Sequence, residues 1–116
     1  MGDANLNLRV MTLEDIPEAM RLKDAAGWNQ TAVDWERFLV ASPEGCFGAL
    51  SGRRIIGTVT TISYENRFAW IGMLVVDSGY RGRGVGSALL ECAIRHLDFK
   101  GVPCLKLDAT PQGRPL

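Results

Sequence analysis

Leu6, Leu8 and Val10 alternate with Asn7 and Arg9, the period-two pattern of a strand with one buried face. Thr12-Leu13-Glu14-Asp15 then supplies capping chemistry. Pro17 fits only the first turn of a helix, which makes Asp15 the expected cap. Ile16, Ala19, Met20 and Lys23 fall on one side of that helix, and Gly27 ends it. Thr31 with Asp34 resembles a capping box for a second helix, whose Trp35, Phe38 and Leu39 face inward. Ser42-Pro43-Glu44-Gly45 breaks this helix and opens a meander of strands over 46–50, 54–63 and 68–76, joined by polar turns. Gly72 inside the last of these weakens pairing and signals a bulge or a close ligand approach. Leu89, Leu90, Ala93, Ile94 and Leu97 then follow helical spacing, with Glu91, Arg95 and Asp98 opposite them. Lys100-Gly101-Val102-Pro103 leads to a final strand over 104–108.

The order β-α-α-β-β-β-α-β defines a mixed α/β fold, expected as one domain over residues 1–116. A strand–helix–strand crossover requires 68–76 and 104–108 to lie parallel in one sheet. The composition is that of a globular chain, 47% hydrophobic and 22% charged, and a formal net charge of zero gives no field favouring nucleic acid or an anionic membrane. No apolar run approaches the length of a membrane span and no leader pattern opens the chain, so a cytoplasmic location is expected. Cys46, Cys92 and Cys104 are scattered without metal-ligand spacing and read as reduced core residues. Cys92 and His96 are spaced as a helical metal pair would be, yet no third ligand accompanies them, so no metal is expected.

Residues 73–90 carry the chemistry. A strand ends at Asp77-Ser78-Gly79, a loop brings Arg81, Gly82, Arg83, Gly84, Val85 and Gly86, and a helix follows at once. Free amides at a helix start, unshielded by side chains and flanked by two guanidinium groups, suit a phosphate; the plainer alternative is a solvated glycine turn. A P-loop would need Lys where Val85 stands, and the glycine spacing does not match the dinucleotide fingerprint.

Arg81-Gly82-Arg83-Gly84-Val85-Gly86, with its hydrophobic strand and Tyr80 before it, resembles the phosphate-loop signature of the GNAT acetyltransferase superfamily, and the likeness extends over nearly the whole chain. The resemblance implies a sheet with helices on both faces and a V-shaped opening between the two parallel strands. It implies acetyl-coenzyme A as cofactor, with its pyrophosphate on Arg81, Gly82, Arg83, Gly84, Val85, Gly86 and Ser87. Backbone amides near Leu74, Val75 and Val76 would polarise the thioester. The implied reaction is acetyl transfer by direct attack of a primary amine, borne by a small molecule or a peptide, with Trp28 in the acceptor pocket.

Departures from the family pattern open alternatives. The family continues with a further helix and two strands, and its usual leucine-tyrosine would begin at Leu116. The expectation is therefore a shortened chain, or one completed by another chain or a second copy covering the 104–108 edge. Tyr64 and Tyr80 match no family acid, and Phe68-Ala69-Trp70 stands where many members carry a basic Glu, so catalytic residues stay unassigned. Glu65 in the preceding turn is the nearest carboxylate in sequence, and an exposed turn carboxylate is more often just solvated. The rivals to an enzyme are a non-catalytic acyl-coenzyme A module and an incomplete fragment.

Overall fold

The structure, a computed structural model, describes residues 6–25, 32–65, 67–80 and 82–107. Along them run β1 (Leu6–Val10), α1 (Ile16–Ala25), α2 (Ala32–Ala41), β2 (Cys46–Ser51), β3 (Arg54–Tyr64), β4 (Phe68–Val76), α3 (Val85–Phe99) and β5 (Cys104–Leu107). Short 3-10 turns lie at Leu13–Asp15 and Ser78–Tyr80. The strands form one sheet in the order β1-β2-β3-β4-β5, antiparallel except for the parallel β4–β5 pair. This is the expected element order, and β1 and β4 have the expected limits. Asp108, placed in the last strand by the sequence pattern, lies outside the described residues, as do Gly27 and Thr31.

Helices cover both faces. Val85, Leu89, Ala93 and Leu97 of α3 repeat at helical spacing and bury against Phe47, Ala49, Ile56, Val59, Ala69 and Ile71 of the sheet. On the other face Ala19, Trp35 and Leu39 pack with Met11, Cys46 and Met73, and Leu22 with Leu50, Ile55 and Val75. A Cβ at Gly57 would stand 2.8 Å from Leu89 Cδ1 and 3.3 Å from the Val75 carbonyl oxygen, so the bare glycine lets α3 settle onto β3. Among the described residues no helix is long and apolar enough to cross a membrane.

The capping at the chain's start differs from the sequence expectation. Asp15 does not cap α1; it closes the 3-10 turn before it, accepting the Thr12 amide at 2.8 Å. Its two oxygens also accept hydrogen bonds from Arg9 at 2.7 and 2.8 Å. This bidentate pair ties the end of β1 to the start of α1, a long-range use of the carboxylate that local capping rules do not show. Pro17 sits in the first turn of α1, as its missing N–H requires.

One irregularity organises the sheet. Thr58 pairs with Val75 and Thr60 with Gly72, so two steps along β3 match three along β4. The surplus residue is in β4, where Met73 adopts a φ of 50°. The buried Thr58 hydroxyl donates to the Met73 carbonyl at 2.8 Å and holds that conformation. An extra residue reverses which side chains face which layer. Before it Ala69 and Ile71 face α3; after it Leu74 and Val76 pack on the α3 side, while Met73 and Val75 point under α1 and α2. The expected bulge is therefore present, with its left-handed residue at Met73 rather than at Gly72.

Thr58→Val should cost about 1–3 kcal/mol, the penalty for leaving a buried carbonyl unpaired, measured by urea unfolding. A neutral substitution would show that the hydroxyl does not anchor the bulge. A second outcome concerns pH. The Arg9 hydrogen bonds hold the Asp15 carboxyl below its ordinary range, against the opposing effect of burial. Such a depressed group adds stability above the unfolded Asp value of about 3.9, lost as pH falls through the lower folded value. Asp15→Asn should therefore flatten the decline in unfolding free energy between about pH 5 and pH 2. An unaltered acid limb would remove Asp15 from the acid response.

Candidate functional site

The candidate site lies where β4 runs out. The Asp77 amide donates to the Ile56 carbonyl at 2.8 Å, adding a further bond between the segment after β4 and β3. The Asp77 carboxylate accepts the Gly79 amide at 2.9 Å, and its carbonyl accepts the Tyr80 amide at 2.8 Å, which winds Ser78–Tyr80 into its turn. Arg21 reaches across from α1: Nη1 lies 3.4 Å from Asp77 and Nη2 donates to the Ile55 carbonyl at 3.0 Å, while Nε donates to Glu18 at 3.0 Å. The Gly79 amide first, and then Arg21, keep the Asp77 carboxyl below the ordinary range, with Arg54 adding a further positive field. Sequence reasoning missed Arg21 and Asp77. Only the Glu18–Arg21 spacing was visible in the chain, because the partner that matters is 56 residues away.

Beyond this turn Gly82 and Gly84 take φ values of 78° and 80°, the left-handed region that glycine enters without steric cost. Gly84 is the N-cap of α3 and supplies no side-chain hydrogen bond; the first turn holds no carboxylate. The amides opening α3 therefore lack both an intrahelical acceptor and a side-chain cap, and the helix dipole makes that end partially positive. Gly86 differs from the other two glycines. It lies within the helix, and a Cβ there would make only ordinary contact, 3.6 Å from Val76 Cγ2. Neither backbone shape nor packing against the described residues demands glycine at that position. Val85 is buried in the core, so it can meet a ligand only through its backbone, whereas Ser87 and Arg83 are exposed. The Arg83 guanidinium lies 5.3 Å from the centre of the Tyr80 ring.

The third component is a strand edge. β5 pairs with β4 from Phe68↔Cys104 to Ile71↔Leu107. Beyond Ile71, the side of β4 turned toward β5 has no strand partner among the described residues, and this unpaired stretch begins at the bulge. Leu74, Val75 and Val76 lie there and point their side chains into the two cores, leaving the backbone as their polar surface. The fold thus brings Leu74, Val75, Val76, Gly82, Arg83, Gly84, Val85, Gly86 and Ser87 to one end of the sheet. Arg81 and Trp28 lie outside the described residues.

Other candidate groups are elsewhere. Tyr64 stacks on Phe68 at 5.0 Å, at the opposite end of β3 from this loop, and Glu65 lies exposed in the turn beside it. The His96 ring meets Phe47 edge-on at 5.7 Å, and burial lowers its pKa. Of the three cysteines expected in the core only Cys46 is buried; Cys92 is half-buried on α3 and Cys104 is exposed at the start of the edge strand β5. Burial pushes the Cys46 thiol up to about 11 and raises that of Cys92, so neither is an activated nucleophile. No group of three metal-ligating side chains occurs among the described residues. The arrangement is an uncapped helix start beside a stretch of β4 that has no β5 partner among the described residues.

Known proteins share this fold. A family model described as "Acetyltransferase (GNAT) family" matches residues 10–115. A holothin acyltransferase from Pseudoalteromonas sp. (strain SANK 73390) is 31% identical over 88 residues, covering 76% of this chain and 29% of that protein. The chain thus spans less than a third of the length of this curated relative. Ard1 from Thermoplasma volcanium has a similar structure, with a TM-score of 0.88 at 18% identity, over 97% of this chain and 76% of that one. PaiA N-acetyltransferase from Thermoplasma acidophilum, solved in complex with coenzyme A, gives a TM-score of 0.77 at 18% identity, over 94% and 82%. At these identities the two solved structures speak for the fold.

Gly84 and Gly86 should respond oppositely to alanine. Gly84→Ala forces a Cβ into the left-handed region and should cost about 1–2 kcal/mol. Gly86→Ala should leave stability unchanged or raise it by up to about 1 kcal/mol. Urea unfolding of the two variants checks this; a destabilised Gly86→Ala would mean that packing, not a ligand, demands that glycine.

Proposed function

The chain belongs to the GNAT acetyltransferase family, and from that premise we propose that it binds acetyl-coenzyme A and transfers the acetyl group to a primary amine by direct attack. One observation carries the reading: a helix mouth with no side-chain cap, entered through two left-handed glycines, adjoins a stretch of β4 that has no β5 partner among the described residues. The residues fit such a donor. Amides at the start of α3 face no competing carboxylate, Gly86 keeps the first turn bare, and Arg83 has no ion-pair partner among the described residues.

In this proposal the amides of Val85, Gly86 and Ser87, with Gly82, Arg83 and Gly84, hold the pyrophosphate, joined by Arg81 and by the field of Arg54. Bound acetyl-coenzyme A would supply a thioester carbonyl for the neutral amine to attack, a C–N bond forming as the C–S bond breaks; the nitrogen loses one proton, which in the net reaction, by way of water, ends on the departing thiolate. Backbone N–H groups near Leu74, Val75 and Val76 stabilise the negative charge developing on the carbonyl oxygen, the contribution of an oxyanion hole. Trp28 contributes to the acceptor side. No side chain is assigned as general base or acid.

A second reading, a non-catalytic acyl-coenzyme A module, draws on a specific observation: Tyr64 lies at the far end of β3, and Tyr80 packs with α3 and Arg83. Thiol release from acetyl-coenzyme A in the presence of an amine library separates the two readings. For both, coenzyme A at about 100 times its Kd should stabilise the protein by about 2.7 kcal/mol in thermal unfolding. Gly86→Ala should retain its stability and bind coenzyme A about ten-fold more weakly. Equal stabilisation by ATP, or undiminished binding in Gly86→Ala, would refute a dedicated coenzyme A seat.

A further inference from the structure

A group of exposed rings on the opposite stretch of β4 is used neither by the core nor by the donor site. Phe68 and Trp70 precede the bulge and alternate with Ala69 and Ile71, so they lie on the sheet face that carries α1 and α2. Those helices do not cover them: the buried clusters on that face include Trp35, Leu39 and Met73 but none of these rings. Trp70 is 36% exposed, and Tyr64, stacked on Phe68 at 5.0 Å, is 46% exposed. Lys106 stands opposite Trp70 in the β4–β5 register. Its ammonium lies 4.9 Å from the Phe68 ring centre and 5.4 Å from that of Trp70, and has no carboxylate partner among the described residues.

Exposed ring surface beside a positive charge that has no carboxylate partner among the described residues makes a complementary pair of demands. The two π faces hold the ammonium in place. A second cation arriving there meets repulsion, while a carboxylate finds a counter-charge and its neighbouring side chain finds the rings. Taken with the proposed donor site, on which this step rests, the patch sets a length. Trp70 and Leu74 are four residues apart, roughly 10–13 Å along a bulged strand at about 3.3 Å per residue. An α-amino acid, with amine and carboxylate on one carbon, cannot bridge that gap.

We infer that the Tyr64, Phe68, Trp70 and Lys106 surface receives the acceptor, and that the acceptor is an extended, peptide-like amine of three to four residues' length. It ends in a carboxylate beside an aromatic or apolar side chain. The carboxylate pairs with Lys106, the side chain packs against the exposed parts of Trp70 and Tyr64, and the amine reaches the stretch of β4 beyond the bulge.

The test is isothermal titration of the full chain with the peptide Ala-Ala-Ala-Phe as free acid and as C-terminal amide, with and without saturating coenzyme A. The wild type should bind the free acid about five-fold more tightly than the amide, the upper range for an exposed ion pair. Lys106→Met should equalise the two, Lys106→Glu should favour the amide, and Trp70→Ala should weaken both. Equal affinities in the wild type, no binding of either peptide, or a preference surviving in Lys106→Met would overturn the inference. Coenzyme A affinity measured on the same samples keeps the two proposals apart. Normal donor binding without acid preference sinks this inference alone, whereas absent donor binding sinks the donor site while the peptide preference is still read without coenzyme A.

Discussion

The surplus residue in β4 is the constraint from which the rest of the site follows. An antiparallel pair keeps its register only if both strands advance equally, and here they do not: Met73 takes a left-handed turn and Thr58 clamps its carbonyl. The strand leaves this point with its side-chain alternation reversed, so Val75 can bury under α1 while Leu74 and Val76 bury under α3. Among the described residues, pairing with β5 ends just before the same point. Beyond it β4 stays paired with β3 on one side and has no described strand partner on the other, along a segment whose side chains are anchored on both faces. That combination of anchored side chains and an available backbone is what a preorganised polar site needs.

Charge is distributed to match. The chain has no net charge to draw an anion from a distance, so attraction must come from short-range arrangement. Arg21, Arg54 and Arg83 belong to the end of the sheet that also carries the mouth of α3, and Asp77 is engaged by the first two. Asp77 is thereby a structural carboxylate: it winds the turn after β4 and receives the tie from α1. The loop that follows consequently starts from a point fixed by three elements, β3, β4 and α1.

The packing shows why this end can be exposed without loosening the fold. α3 is held by a continuous row of buried residues reaching from Val85 to Leu97, and Gly57 allows it to approach the sheet closely. The helix is therefore fixed by its apolar face, and its N-terminal amides do not need a protein cap to keep it in place. Left-handed glycines at the entry carry no side chain into the space ahead of those amides.

Much of this was legible in the chain. Period-two alternation over Leu6, Leu8 and Val10, the 3.6-residue spacing of Leu89, Ala93 and Leu97, and the turn residues between strands determined the elements and their order, because each depends on neighbours only a few residues away. Glycine and arginine spacing over 81–86 pointed to an anion seat for the same reason: a helix start is a local object. Gly72 marked the neighbourhood of the bulge, but which residue would turn left-handed depended on Thr58, a strand away. Asp15 was read as a local cap, whereas Arg9 draws it into a bridge between elements. The Arg21–Asp77 tie, the point where β5 stops pairing with β4, and the meeting of Lys106 with Phe68 and Trp70 left no trace in local pattern. Sequence by itself determined which segments form and which glycines and arginines gather before α3. Tertiary structure alone decided which distant side chains meet and how β5 registers against β4, since those depend on register and crossover geometry rather than on the order of residues.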